Sequence, residues 1–325
     1  MRSVVHHSFG DPADVLVAAD RPVPEPGPGQ VRVRMRLAPI HNHDLLTVRG
    51  LYGWKPRLPA IGGSEGLGIV DALGEGVEGL APGQRVAAAS GQGTWAEYFL
   101  AAGRMLVPVP DGIGDEIAAQ LVAMPLSALM LLEFLDVEPG QWLVQNAANG
   151  AVGKALAMLA AARGVRVLSL VRRREAVAEM AALGIDHVLC TADDDWRAAA
   201  RALLGKDGAR AASDSVGGTA SGELVPLLGD GGVLVSFGVM GGEPMRIPPG
   251  DLIFRDVTVK GFWGSRTSRE MAPHTRQRLS AELLQRAASG ELRLPVDGIY
   301  ALEQAAQAAA ASQRPGRGGK VLLRA

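Results

Sequence analysis

QWLVQNAANGAVGKALAMLAAARGVRVLSLVRRR, residues 141–174, decides the fold. Trp142-Leu143-Val144 is a short, continuous apolar run, the signature of a strand buried on both faces of a parallel sheet. A turn free of bulky side chains follows, from Ala147 through Asn149, Gly150 and Ala151 to Val152 and Gly153. Beyond it Leu156, Leu159 and Ala160 recur at helical spacing, and Gly164 stops the helix. Val165 to Val171 is rich in β-branched and aliphatic residues and predicts a second strand. The whole stretch is one βαβ unit.

The glycines point to a ligand. A helix start offers unpaired N–H groups and the positive end of a dipole, so a pyrophosphate can sit there if no Cβ blocks it. Gly150 would allow that approach, and Gly153 would let the helix pack closely. A bare G-x-x-G says little, because glycine turns join strands to helices everywhere. The strand before it, the helix after it and the second strand about twenty residues on make it a dinucleotide site. The end of that second strand selects the cofactor. An acidic residue there would hold the ribose 2′-hydroxyl of NAD, whereas arginine accommodates the 2′-phosphate of NADP. Here the strand runs into Arg172, Arg173 and Arg174. Guanidinium groups match phosphate geometry and stay charged. A merely solvated basic helix start would oppose the helix dipole. NADPH is the expected cofactor.

Composition limits what else the chain could be. Its 325 residues are long for one core and suggest two domains. Lys plus Arg, 33, nearly balances Asp plus Glu, 34, so no nucleic-acid or membrane electrostatics are implied. The single cysteine, Cys190, excludes an internal disulfide framework and a Cys-rich zinc site. Leu121 to Leu135 is the most apolar segment, but Pro125 and Glu133 interrupt it and it is too short for a bilayer. The first fifteen residues have no signal or transit character, so a soluble cytoplasmic protein is expected.

Residues 1 to about 110 read as short strands with Gly/Pro turns: Val15–Val17, Val31–Met35, Leu67–Ala72, Arg85–Ala89, Trp95–Leu100 and Met105–Pro108. Such a series predicts a small β-barrel-like domain. Helices are expected from Asp115 and over Leu126–Leu135. Strand and helix then alternate to about residue 265, predicting a doubly wound parallel sheet. Two further helices, Ser280–Ala288 and Leu302–Ala311, precede a closing strand at Lys320–Leu323.

These features together resemble the medium-chain dehydrogenase/reductase superfamily, and the likeness covers nearly the whole chain. Within that superfamily, His43–Leu46, Arg49–Gly53, Leu58–Gly66, Gly93–Trp95, Gln145–Asn149, Leu252–Asp256 and Gly261–Trp263 are similar to the zinc-independent trans-2-enoyl-thioester reductases. Quinone oxidoreductases share the framework. The resemblance implies an α/β fold, with a GroES-like β-barrel catalytic domain (1–112 and 266–325) and a Rossmann domain (113–265). It implies NADPH-dependent reduction of an activated C=C bond in an acyl thioester, or alternatively of a quinone or enone. A homodimer built on the Asp251–Phe262 segment is also implied.

Zinc-dependent relatives carry Gly-His-Glu where this chain has Gly63-Ser64-Glu65. No cysteine lies near Asn42–Asp44, and His41 and His43, alternating on an extended segment, would point apart. His6-His7 reads as surface. A metal-free protein is expected.

Reducing C=C needs a hydride and a proton. The family implicates a tyrosine in the position of Tyr52 as proton donor, and a phenol, protonated at neutral pH, suits that task. The alternative for Tyr52 is a turn aromatic packed on the barrel. The family also implies cofactor contacts from Phe237-Gly238-Val239-Met240, from Phe262-Trp263-Gly264-Ser265 and from Lys320, which could instead be a solvated terminal lysine. Asp44 and Glu65 are expected to bond turn backbones, and Trp95 to pack in the core. Met124 stands where the family carries asparagine, and Arg266-Thr267-Ser268 is unusually basic.

Overall fold

In this computed structural model, which describes residues 1–89 and 93–325, the chain divides into two compact units. The first comprises Met1–Ala123, Ser280–Ser289 and Leu294–Ala325, and the second Met124–Leu279 with Gly290–Arg293. The sequence texture changes at Ile113; the division by packing falls about ten residues later.

The first unit begins with β1 (Arg2–His6), α1 (Pro12–Val15), β2 (Val17–Asp20), β3 (Gln30–Pro39), α2 (Asn42–Val48) and β4 (Ala60–Ile61). It continues with β5 (Glu65–Leu73), β6 (Arg85–Ala89), β7 (Tyr98–Ala102), β8 (Leu106–Pro108) and α3 (Asp115–Ala118). In β3 the predicted alternation is realised: Val31, Val33 and Met35 are buried, while Arg34 and Arg36 are exposed. Those inward side chains join Ile40, Leu45, Val70, Val86, Trp95 and Phe99 in one core. Trp95 is completely buried and its indole N–H donates to the Pro39 carbonyl at 3.1 Å.

Three local expectations fail here for identifiable reasons. Val15 ends a helical turn instead of opening a strand, because Asp11 caps that turn through the Ala13 N–H and Pro12 occupies its first position. The strand predicted from Trp95 starts at Tyr98. His6 is buried, its Nδ1 3.2 Å from the Ser8 carbonyl, while His7 is exposed.

The second unit holds α4 (Ala123–Leu135), β9 (Trp142–Gln145), α5 (Ala151–Ala162), β10 (Arg166–Val171), α6 (Arg174–Ala181) and β11 (Val188–Cys190). After these come α7 (Trp196–Leu204), β12 (Ala209–Asp214), α8 (Gly218–Leu224), β13 (Leu228–Ser236), α9 (Pro249–Phe254), β14 (Thr258–Gly261), α10 (Gly264–Glu270) and α11 (Pro273–Ala288), whose last turns count with the first unit. The six strands are parallel, in the order β11-β10-β9-β12-β13-β14. This is the doubly wound order in which the chain reverses direction across the sheet between β9 and β12. All four residues of β9 are buried, as a strand covered on both faces must be. Trp142, Val144, Leu168, Leu170, Trp196 and Leu234 form the core of one face, each large side chain contributing about 1.5–3 kcal/mol by leaving water.

The chain then returns to the first unit with β15 (Val296–Ala301), α12 (Ala305–Gln313) and β16 (Lys320–Arg324). β16 lies between β15 and β3 in a seven-stranded mixed sheet, and β2-β1-β4 form a smaller antiparallel one. The fold is therefore α/β: a parallel-sheet nucleotide-binding architecture plus a separate, mostly antiparallel β unit.

Candidate functional site

In the second unit, four of the segments singled out in the sequence converge because parallel strands all end on one edge. The Asn149–Gly153 turn follows β9, Arg172–Arg174 follow β10, Phe237–Met240 follow β13, and Phe262–Ser265 follow β14. In open parallel sheets that carboxyl edge, near the reversal of strand order, is where nucleotides bind.

The two glycines of the turn have different reasons to be there. A Cβ on Gly153 would lie 2.5 Å from the Ala148 carbonyl oxygen and 2.7 Å from its Cα, so only glycine lets the helix start this close to the turn. A Cβ on Gly150 would meet nothing closer than the Ala147 carbonyl at 3.2 Å, and Gly150 is exposed at the N-cap of α5 with an ordinary φ of −73°. Local packing presses less on position 150 than on 153: its single close contact is a tight 3.2 Å to a main-chain oxygen, against several under 3 Å at Gly153.

The turn is braced from behind. Gln145 donates through Nε2 to the Gly153 carbonyl at 2.9 Å and to Ser169 Oγ at 3.1 Å. Asn146 donates to Asp214 Oδ1 at 2.7 Å and accepts from the Ser215 N–H at 2.7 Å. The fully buried Asp214 carboxylate also accepts from Val216 N–H, Gly217 N–H and the Ser221 hydroxyl. A buried charge needs such saturation. This brace was missed in the sequence, although an aspartate ending an apolar strand before Gly217-Gly218 signals it.

The three arginines are not equivalent. Arg173 is tied to Glu179 at 3.0 Å, and Arg174 to Asp193 at 2.6 Å. Arg172 is exposed, and among the described residues no protein partner holds it. Val239, Met240 and Trp263 are exposed, and Phe237 stacks on the buried Phe262 with ring centroids 6.0 Å apart.

The first unit holds a polar cluster of its own. His41 and His43 do not alternate on an extended segment, as their spacing suggested; α2 begins between them, and their rings stack with centroids 5.1 Å apart. The cause is Asp44, whose Oδ2 accepts the His41 main-chain N–H at 2.9 Å and caps the helix. Ser64 donates its hydroxyl proton to Asp44 Oδ1 at 2.6 Å, and His43 Nε2 lies 2.7 Å from the same hydroxyl oxygen. Tyr52, half-buried just beyond α2, packs its ring on His43 with centroids 5.7 Å apart and planes inclined by 35°.

Behind these, Glu65 Oε1 accepts the main-chain N–H groups of Val122 and Ala123, each at 2.7 Å, and its Oε2 lies 2.7 Å from His41 Nε2. Burial pushes the Glu65 carboxyl up to about 8 and holds the His41 imidazole neutral. Glu65 therefore keeps a proton near neutrality and donates it to His41 Nε2. Lys320 belongs to this cluster rather than to a solvated tail: it is buried, its Nζ donates to the Ile40 carbonyl at 3.4 Å, and burial lowers its pKa to about 8. The side chains at the position of the zinc ligand are thus committed to one another: Ser64 to Asp44, Asp44 to the α2 cap, and Glu65 to the main chain. Cys190 is buried in β11 of the other unit. Among the described residues no group of three or more His, Cys, Asp or Glu side chains is placed to hold a metal ion, and this donor set does not fit a tetrahedral zinc site.

The alcohol dehydrogenase GroES-like domain family matches residues 27–111, and the zinc-binding dehydrogenase family matches residues 151–281. The mitochondrial enoyl-[acyl-carrier-protein] reductase of Homo sapiens is 34% identical over 331 residues, covering 99% of this chain and 88% of that protein. A crystal structure described as a putative NADPH:quinone reductase from Bacillus thuringiensis superposes with a TM-score of 0.91 at 30% identity, covering 100% of this chain and 98% of the other. A mycobacterial structure described as complexed with NADPH gives 0.89 at 29% identity, with both chains fully covered. The fold and the glycine-turn edge define a nucleotide-dependent oxidoreductase architecture. The chain belongs to the medium-chain dehydrogenase/reductase superfamily, close to the mitochondrial enoyl reductases.

Proposed function

We propose that this protein is an NADPH-dependent reductase of activated carbon–carbon double bonds, acting without a metal ion on trans-2-enoyl thioesters, with Tyr52 as proton donor. The observation that carries the reading is the setting of Tyr52, a phenol packed on His43 of a half-buried His43–Ser64–Asp44 chain where zinc-dependent relatives place a ligand. When bound, NADPH supplies the hydride. The α5 N-terminus at Gly150 would hold its pyrophosphate, Arg172 its 2′-phosphate, and the main chain of Phe237–Met240 and Phe262–Ser265 its nicotinamide ribose and carboxamide. Tyr52 then protonates the α-carbon of the enolate that hydride addition leaves.

NADPH consumption with crotonyl-CoA, a substituted quinone and an enone, compared with NADH, tests the reading. Tyr52→Phe is expected to fold and to lose most turnover of crotonyl-CoA. Turnover of the quinone alone, insensitive to Tyr52→Phe, would establish the quinone reductase reading that the Bacillus thuringiensis likeness favours.

The assembly reading is a homodimer. All four residues of β14 are exposed at the edge of the parallel sheet, beside the exposed Ile253 and Phe254 of α9, so a second copy can add to this edge by a two-fold axis. No described helix is long and apolar enough to cross a membrane.

A further inference from the structure

We propose that His43 is the group that returns the proton to Tyr52 after each turnover, a proton-supply line from solvent whose histidine is held in place by Ser64 and Asp44. This rests on the reading of Tyr52 as donor. A tyrosine that gives its phenolic proton to carbon is left as a phenolate, and the next cycle cannot begin until it is reprotonated. Of the side chains in the cluster, His43 packs on the Tyr52 ring and is itself still 28% exposed, so it meets both the tyrosine ring and solvent.

The hydrogen bonds fix how His43 can act. The Ser64 hydroxyl spends its single proton on Asp44 Oδ1, so its oxygen must accept from His43 Nε2–H. That assigns the hydrogen of neutral His43 to Nε2 and leaves Nδ1 as the nitrogen that gains and loses a proton. The Asp44 carboxylate lies 3.5 Å from Nε2, on the Ser64 side of the ring. The other titratable groups of the cluster are His41, stacked on His43 and held neutral by burial, Glu65, protonated below about 8, and Lys320, whose charge opposes that of the imidazolium. His41 cannot take this role, because its Nε2 is engaged by Glu65 and it is completely buried.

The step balances without a redox partner. As the Cα–H bond forms, the Tyr52 O–H bond breaks. The phenolate then takes the Nδ1 proton of the His43 imidazolium, and water reprotonates Nδ1. One solvent proton thereby accompanies each hydride. His43 is a positioning residue acting through Tyr52, since nothing requires it to touch the substrate.

Single-turnover and steady-state kinetics separate this role from a structural one. NADPH-loaded protein is mixed rapidly with crotonyl-CoA. His43→Gln is expected to complete its first turnover at the wild-type rate, using the proton Tyr52 already carries. It should then slow on the order of tenfold or more, giving a burst, and added imidazole should restore the steady state. Tyr52→Phe should lose the first turnover itself. First and later turnovers slowed equally in His43→Gln, with no rescue by imidazole, would overturn the proposal while leaving Tyr52 as donor. A full first turnover in Tyr52→Phe would overturn both readings. If His43→Gln does not fold, Ser64→Ala carries the test: it removes the oxygen that fixes Nε2–H, and the absence of a burst there overturns the supply line.

Discussion

Replacing Arg172 by alanine asks which of three adjacent guanidinium groups recognises a 2′-phosphate. Arg173 and Arg174 are already engaged by Glu179 and Asp193, and redirecting either would first break an ion pair. Arg172 is exposed at the end of β10 and has no protein partner among the described residues. Hydrogen bonds to charged groups are worth about 1.5–3 kcal/mol, and solvent exposure argues for the lower end. A loss of about 1.5 kcal/mol is roughly a tenfold rise in the Kd for NADPH. NADH, with a hydroxyl in place of the phosphate, should bind the variant as it binds the wild type. Titration calorimetry with both nucleotides at two salt concentrations measures this, and the difference should shrink at high salt as screening increases. Equal weakening of NADPH and NADH, or an equal effect from Arg174→Ala, would refute the assignment.

Other outcomes follow from the same geometry. Gly153→Ala places a methyl group 2.5 Å from the Ala148 carbonyl and should lower stability by about 1–3 kcal/mol, seen as a reduced Tm without any nucleotide. Gly150→Ala should lower Tm less than Gly153→Ala does, yet weaken NADPH binding, because its methyl group meets one main-chain oxygen at 3.2 Å rather than several atoms under 3 Å. Glu65→Gln should flatten the pH dependence of stability. The folded carboxyl titrates near 8 against an ordinary 4.5, so between those values the folded chain keeps a proton that the unfolded chain has lost. Stability from Glu65 is thus full below 4.5 and is lost as pH rises to about 8. Lys320, lowered from 10.5 to about 8, works in the opposite sense over 8 to 10.5. Parallel Tm curves for wild type and Glu65→Gln from pH 5 to 8 would contradict the buried, protonated assignment.

The βαβ unit was legible because its signals are local: a continuous apolar run, glycines at the turn, and helical spacing beyond it. Alternation of strand and helix then gave a doubly wound parallel sheet, though not its strand order. The turn at Asp11-Pro12 carried an equally local signal, but the aliphatic Val15–Val17 run outweighed it in the reading. The helix after His41 could not be read in the same way, because its cap is Asp44 reaching back to the main chain rather than a short polar residue at the cap itself. The pairing of His43 with Ser64, twenty-one residues on, depends on β5 lying beside that helix start. The separation of Arg172 from its neighbours likewise depends on where Glu179 and Asp193 fall in space. Lys320 could be read from sequence either as a cofactor contact or as a solvated terminal lysine, because nothing near it in sequence hides it; what buries it is β3, far earlier in the chain.

That last placement governs the order in which the protein can be made. β16 is an inner strand, flanked by β15 and β3, and its Lys320 meets Ile40 across a separation of 280 residues. On the ribosome, Met1–Ala123 emerges first but lacks the strand that completes its sheet. The parallel sheet of β9–β14 has all its strands once Gly261 has been translated and can close earlier. The contacts of the histidine cluster therefore come almost entirely from residues 40–123, and Lys320 is the one member that arrives only with the last strand.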